Sequence, residues 1–494
     1  MRYLISFIPV FFVSYLCGQT LVLPGDFPDP SVVKSDSAYW ATATTSNWAP
    51  VFPLLESKDL IHWELKGHVF QDLPDWADYY LWAPEISYDN GKYYVYYSAH
   101  KRGGNLCVAV ASADNPNGPY TDHGPLICQE AGSIDAWPER DKDGKLYLIW
   151  KEDGNSMKLP TPIWAMEMNE ERTALKGEKK ELFRNDASWE GNLVEGVSIM
   201  RHGKYFYAFY AGAGCCGRAC SYGIGVARAE NLLGPWEKYS RNPLIATTEE
   251  WKCPGHGTPI EKDGKFYFLY HAYHDESNVY AGRQGVLSEF VFTPDGWVDF
   301  VDGPGGNQSI QREIADEFNG DALALHWQWS VFQDPSYTLT NGQLTLMALP
   351  EKSGAFLGMK TYTSDYEVDV TVFPKASAAE AGLALVGDEK NFVVLSFDGN
   401  RLVLRKVESD KETVLDQKIV PKGEKQYLRA RVENGKEISF YHSADGDQFT
   451  QMNSTPVDGF FLPPWDRAVR AAVVSKGKSG TKAVFDDFIL KNNR

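Results

Sequence analysis

Asn90-Gly-Lys-Tyr-Tyr-Val-Tyr-Tyr97, Asp143-Gly-Lys-Leu-Tyr-Leu-Ile-Trp150 and Asp263-Gly-Lys-Phe-Tyr-Phe-Leu-Tyr270 are three copies of one phrase: a turn, then a run dense in β-formers. Two looser copies, Asp36-Ser-Ala-Tyr-Trp-Ala41 and His202-Gly-Lys-Tyr-Phe-Tyr-Ala-Phe-Tyr210, complete the series. The turn residues Ser37, Gly91, Gly144, Gly203 and Gly264 are separated by 54, 53, 59 and 61 residues. Further into two of the units a second pattern recurs, Ala109-Val-Ala-Ser-Ala-Asp114 with Gly118-Pro-Tyr120 and Gly225-Val-Ala-Arg-Ala-Glu230 with Gly234-Pro-Trp236. A unit of this length holds about four short strands, too few to bury both faces alone. Five such units stacked about an axis bury them, so the pattern predicts a five-bladed β-propeller.

Working outward, the texture changes near residue 300. Asp302-Gly-Pro-Gly-Gly-Asn307 has linker composition. Beyond it lie alternating runs such as Tyr366-Glu-Val-Asp-Val-Thr-Val372 and Phe392-Val-Val-Leu-Ser-Phe397, without long helical periodicity. The expectation is an all-β chain: a propeller over 19–301, a linker over 302–312 and a β-sandwich of jelly-roll, concanavalin-like type over 313–494. At the other end, Met1 and Arg2 precede an apolar run from Tyr3 to Leu16 that is short for a membrane span and suits a signal peptide, 1–18, hence export. Lipid attachment through Cys17 is the alternative. No other segment is apolar and long enough to span a bilayer.

The 494 residues carry 49 basic and 66 acidic side chains, a net charge of −17, with no basic block. That argues against nucleic-acid or anionic-membrane partners and suits a neutral ligand. Without Cys17, six cysteines remain: Cys107, Cys128, Cys215, Cys216, Cys220 and Cys253. The even count permits disulfides without saying which. Cys215-Cys216-x3-Cys220 lacks zinc-site spacing, and a bond between the adjacent Cys215 and Cys216 is the less expected pairing.

Each blade's innermost strand should precede its turn. Counting back six to nine residues from the turns reaches Asp29, Glu85, Asp135, Glu195 and His256, one ionisable group per blade. Converging on the axis, these carboxylates suit glycosidic cleavage, in which one acid gives a proton and another carboxylate activates water. The loops expected at the same mouth hold Trp48, His100 with Arg102, the Cys215–Cys220 segment and 271–283. Trp48 and Trp82 are candidates to stack on a sugar ring.

Phe27-Pro-Asp-Pro-Ser31, Trp82-Ala-Pro84, Ile134-Asp135, Glu195-Gly196 and Gly255-His-Gly257, in that order, resemble glycoside hydrolase family 43. Asp316-Glu-Phe-Asn-Gly320, Trp327-Gln-Trp329 and Phe485-Asp-Asp-Phe488 resemble the concanavalin-like sandwich often appended to it. The resemblance implies Asp29 as general base, Glu195 as general acid and Asp135 as the group that tunes the acid. It implies Arg283 as a contact to substrate and acid and His256 deep in the channel, where a metal ion or water is held; Glu85, from its place in the series, is expected to bind substrate. No cofactor is implied as required, though the resemblance leaves room for Ca2+ or another ion near His256 or in the sandwich. Val197 and Ala136 stand where the family commonly has Pro, which blurs the subfamily.

The reaction implied is single-step inversion on an oligo- or polysaccharide, exo-acting, with α-L-arabinofuranosidase placed before β-D-xylosidase. A galactose-cleaving member and a non-catalytic sugar-binding propeller are the alternatives. Retaining, invertase-like propellers carry a Trp-Met-Asn-Asp-Pro-Asn-Gly signature that this sequence lacks. Oligomeric state is not readable.

Overall fold

The computed structural model describes residues 18–301, 303–305 and 308–493. The expected signal peptide lies almost wholly outside them, in residues 1–17. Four-stranded antiparallel sheets make the first four blades. The first runs Ser31–Lys34, Tyr39–Thr42, Val51–Ser57, Trp63–Phe70; the second Ala77–Asp89, Lys92–Lys101, Leu106–Ala113, Thr121–Ile127. The third runs Ser133–Arg140, Leu146–Glu152, Ile163–Met168, Leu175–Phe183; the fourth Val194–His202, Tyr205–Gly212, Gly223–Ala229, Glu237–Lys238.

The fifth blade, Trp251–Lys262, Lys265–His274 and Gln284–Phe292, borrows its outer edge from both ends of the propeller. Thr20–Leu23 pairs with Gly285–Leu287, and Val298–Val301 pairs with Glu289–Phe292. This pairing closes the ring and removes an open edge. The five first strands touch one another in order around the axis, the fifth against the first. Between blades the repeated phrases supply the core: Tyr97 packs with Phe52, and Phe209 with Phe268 and Phe290.

The C-terminal strands, Glu313–Asp316 to Lys482–Asn492, form a nine-stranded and a six-stranded antiparallel sheet. Val368, Leu428, Phe440 and Phe485 from one face Leu357, Leu383, Leu395 and Val473 from the other across a buried core. A β-sandwich therefore follows the propeller.

The sandwich is fastened to the propeller in three ways. Trp329–Ser330 forms a two-stranded ladder with Trp48–Ala49 of the first blade. Arg470 donates to Asp26 at 3.0 Å in a wholly buried ion pair, and the Ala468 main-chain N–H donates to the same carboxylate. Trp48 is 2% exposed and packs edge-on to Phe356 of the sandwich. This corrects the expectation that Trp48 stacks on substrate: its ring fills the seam between the two units. No helix among the described residues is long and apolar enough to cross a membrane.

Candidate active site

Four of the five inner strands break their ladder at an equivalent place, and in the first blade Asp29 stands just before the strand begins. Register skips between Trp82 and Glu85, Ile134 and Trp137, Glu195 and Ser198, and Gly255 and Gly257. The residues inside those skips, Ala83, Asp135, Gly196 and His256, have φ of 42°, 57°, 60° and 35°, and Asp29 of the first blade has 50°. A bulge with a left-handed residue bends the strand and re-aims a side chain. For Asp29, Asp135 and His256 that conformation costs about 1–3 kcal/mol each, the sort of strain retained at functional sites. Gly196 has a second reason to be glycine: a Cβ there would lie 2.8 Å from Cγ of His256.

A bulge also frees main-chain N–H groups, and the neighbouring blade's second strand catches them. Ala83 N–H donates to Thr44 Oγ1 at 2.6 Å, Asp135 N–H to Ser98 Oγ at 3.1 Å, and Asp29 N–H to His271 Nδ1 at 3.0 Å. Because Nδ1 accepts, His271 is a neutral imidazole, and burial pushes its pKa down to about 4.

The bulges open on a cavity of about 540 Å³ lined by Asp29, Ala83, Asp135, Glu195, His256 and Arg283, among others. Arg283 donates to Asp29 Oδ1 at 3.1 Å and Thr44 Oγ1 to Oδ2 at 2.7 Å. Burial alone would raise the Asp29 pKa, but the Arg283 guanidinium, together with smaller contributions from His271 and His256, outweighs it and holds the carboxyl far below the usual range. His256 Nδ1 lies 3.8 Å from Asp29 Oδ1 and 3.9 Å from Asp135 Oδ2, so the ring stands between the two acids. Asp135 Oδ2 accepts the Gly196 N–H at 2.9 Å. Glu195 accepts from Lys151 Nζ at 2.5 Å and Tyr222 Oη at 2.6 Å, and Lys151 also donates to Asp153 at 2.8 Å.

Burial raises Asp135 to about 6, aided by the negative charge of Glu195. For Glu195 burial is outweighed by Lys151 and the Tyr222 hydroxyl, which hold it lower. The two acids titrate as a pair, pushed apart by their surroundings: one retains a proton to higher pH, the other is stabilised as carboxylate.

The rim is aromatic and comes from both units. Trp82 donates to Ser46 Oγ at 3.2 Å and Asp466 Oδ2 at 3.3 Å, stacks on Tyr80 and meets Trp465 edge-on at 5.8 Å. Asp466 also accepts from Ser46 Oγ at 2.5 Å, and its main-chain carbonyl accepts from Arg283. Trp465 and Asp466 belong to the sandwich, which thus walls part of the cavity. His100 lines the rim and stacks on Tyr79 at 4.1 Å.

The structure brings together Asp29, Asp135, Glu195, His256, Arg283 and Trp82 of the expected residues. Glu85 needs correcting: it does not line the cavity. It lies two residues past the bulge, where Ala83 holds the equivalent position, and burial raises its pKa well above the ordinary value. Lys151, Tyr222, Trp465 and Asp466 escaped the sequence reading, in which His271 is only the first residue of a loop expected at the mouth. Nor do the residues around His256 fit a caged cation: no group of three or more His, Cys, Asp or Glu among the described residues is arranged to hold one, and Asp29 Oδ1 is engaged by Arg283.

The cysteines form three disulfides, Cys107–Cys128, Cys215–Cys216 and Cys220–Cys253. The less expected adjacent pairing is therefore present, and both of its residues line the cavity. Left-handed residues at Ala213 and Gly217 turn the chain on either side of it.

The family model of glycosyl hydrolases family 43 matches residues 19–298, the whole ring of blades. The chain belongs to that family. It is a family 43 glycoside hydrolase, and a second model, the beta xylosidase C-terminal concanavalin A-like domain, matches 315–463 of the sandwich. Among similar proteins, a non-reducing end alpha-L-arabinofuranosidase of Bacteroides ovatus is 24% identical over 436 residues, covering 79% of this chain and 78% of that protein. A beta-xylosidase of Bacillus subtilis is 24% identical over 489 residues, 85% of this chain and 88% of that protein. The crystal structure of a xylan beta-1,4-xylosidase from Bacillus halodurans superposes with a TM-score of 0.82 at 21% identity, covering 96% of this chain and 100% of that one. The family 43 fold thus extends through propeller and sandwich together.

Proposed function

We propose that this family 43 enzyme is an exported, inverting exo-glycosidase that releases terminal pentose from plant cell-wall polysaccharide, α-L-arabinofuranose first and β-D-xylose second. The observation that carries this reading is the placement of Asp29, Asp135 and Glu195 in a cavity walled by Trp465 and Asp466 of the sandwich. Such a wall favours a chain end over the middle of a polymer. The relatives named for arabinofuranosidase and xylosidase activity support the sugar class.

Asp29 is the base. Its carboxylate, kept ionised by Arg283, removes a proton from the water that attacks the anomeric carbon. Glu195 is the acid: the Asp135–Glu195 pair carries one proton, resting mostly on Asp135, and the fraction on Glu195 is what is delivered to the leaving oxygen. Lys151 and Tyr222 then stabilise the carboxylate left behind, which makes Glu195 a stronger donor. Asp135 interacts with Glu195 through charge and orients the acid by accepting the N–H of Gly196, the next residue in the chain. A hemiacetal of opposite configuration leaves.

The pH profile follows from these charges. Activity needs one proton on the Asp135–Glu195 pair, so kcat/KM is expected to fall as pH rises through about 6. Asp29 needs to be ionised, and its depressed pKa keeps the acid limb far below neutrality. Arg283→Ala removes that depression, so the acid limb should move to higher pH. An acid limb that stays in place would show that Asp29 is not the titrating base. The sugar itself is tested by a panel of nitrophenyl glycosides: α-L-arabinofuranoside and β-D-xyloside should be cleaved at least tenfold faster than β-D-galactoside, a larger pyranoside that differs from the xyloside by a hydroxymethyl group and the configuration at C4. Preference for the galactoside would reverse the assignment.

A further inference from the structure

The geometry points to the Cys215–Cys216 disulfide as a sugar-binding platform on the leaving-group side of the site, a role that rests on the glycosidase reading above. Neighbouring residues of an extended chain point to opposite sides. A bond between adjacent sulfurs closes a small ring through the intervening peptide and turns both side chains to one side. Here that side faces the catalytic cavity, which both cysteines line. The face presented is small, rigid and polarisable, with no strong donor or acceptor. It suits the C–H face of a sugar ring, whose hydroxyls lie around its edge.

Its address in the fold says which sugar. The loop leaves the fourth blade at Ala211–Gly212, and Ala211 is the ladder partner of Glu195. It returns at Tyr222, whose hydroxyl donates to Glu195. The disulfide therefore sits on a loop that starts and ends at the proposed proton donor, where the leaving oxygen and the sugar attached to it must lie. At Gly217 the loop abuts the sandwich, since a Cβ there would lie 3.4 Å from the Trp465 carbonyl oxygen. The disulfide and the exposed ring of Trp465 thus border the mouth together.

The loop is built to hold this face still. Ser221 N–H donates to the Gly214 carbonyl at 2.8 Å, and Gly217 N–H donates to Tyr273 Oη at 3.1 Å. Arg218 donates to the Phe460 carbonyl of the sandwich at 2.8 Å. Cys220–Cys253 ties the loop to the inner strand of the fifth blade. A surface fixed before the ligand arrives loses little entropy on binding.

The test compares wild type with the Cys215→Ser/Cys216→Ser and Cys215→Ala/Cys216→Ala double variants, on the pentose disaccharide that the wild type cleaves and on the matching nitrophenyl pentoside. Cys220→Ser/Cys253→Ser serves as the variant that loses a staple but keeps the platform. Loss of the platform should raise KM for the disaccharide about tenfold, with a smaller change in kcat and a clearly smaller rise in KM for the nitrophenyl substrate. The staple variant should lower the melting temperature without that selectivity. Equal losses on both substrates, or no change on either, would overturn the platform. If the wild type cleaves no pentoside at all, the pentosidase reading fails instead. The platform is then judged by the same ratio of variant to wild type on whichever disaccharide is cleaved.

Discussion

Asp29→Ala should lose roughly four orders of magnitude in kcat/KM, and should lose them on every substrate alike. The reason is geometric as well as chemical. Asp29 sits on a left-handed residue at φ 50°, with one oxygen fixed by Arg283 and the other by Thr44, so its carboxylate is held in one place for the attacking water. His271, the nearest imidazole, already accepts the Asp29 main-chain N–H. Water then lacks a base whatever group is leaving. Azide, which needs no deprotonation, should restore part of the rate and give a glycosyl azide of inverted configuration. Steady-state kinetics with and without azide check both points. A variant whose rate recovers merely with a better leaving group would show Asp29 to be the acid.

Glu195→Ala is expected to behave in the opposite way. A sugar alkoxide leaves poorly without a proton, so natural linkages should lose about 10³-fold or more. Dinitrophenolate leaves unaided, and most of the rate on that glycoside should survive. The contrast between substrates is the diagnostic, measured as kcat/KM on a disaccharide and on the dinitrophenyl glycoside. Equal loss on both would mean that removing Glu195 has disturbed more than proton delivery. Lys151 makes this a demanding experiment: with Glu195 gone, its buried ammonium keeps only Asp153 as an ion-pair partner. Glu195→Gln, which loses the charge as well but preserves the volume and an acceptor oxygen for Lys151, separates the loss of packing and hydrogen bonding from the loss of the proton and charge.

Much of this was legible in the sequence because a propeller repeats its local physics. The turn phrases located the second strand of every blade, and counting back from them reached Asp29, Asp135, Glu195 and His256. Glu85 was drawn into that set because the count tolerates a slip of two residues. Only the bulge shows that Ala83, with no ionisable group, holds the equivalent place. A second regularity was present and unused. Seven residues after the turns Ser37, Gly91, Gly144 and Gly264 stand Thr44, Ser98, Lys151 and His271. Three of these catch a bulge N–H, and the fourth reaches the acid of the next blade.

What stayed hidden depends on contacts between distant parts of the chain. Trp465 and Asp466 enter the site only because the sandwich is docked on the propeller, through pairings such as Asp26 with Arg470 that span most of the sequence. The same docking took Trp48 away from the substrate. The adjacent disulfide was weighed and set aside, since spacing alone does not favour bonding between neighbours; the turns on either side of it were not readable.

The central claim is a single displacement by water held by Asp29, with the proton coming from Glu195. Proton NMR of the first product formed from an aryl pentoside, recorded before mutarotation, tests it most directly. Direct displacement gives the anomer opposite to that of the substrate. Appearance of the same anomer first would require a covalent intermediate and would contradict it.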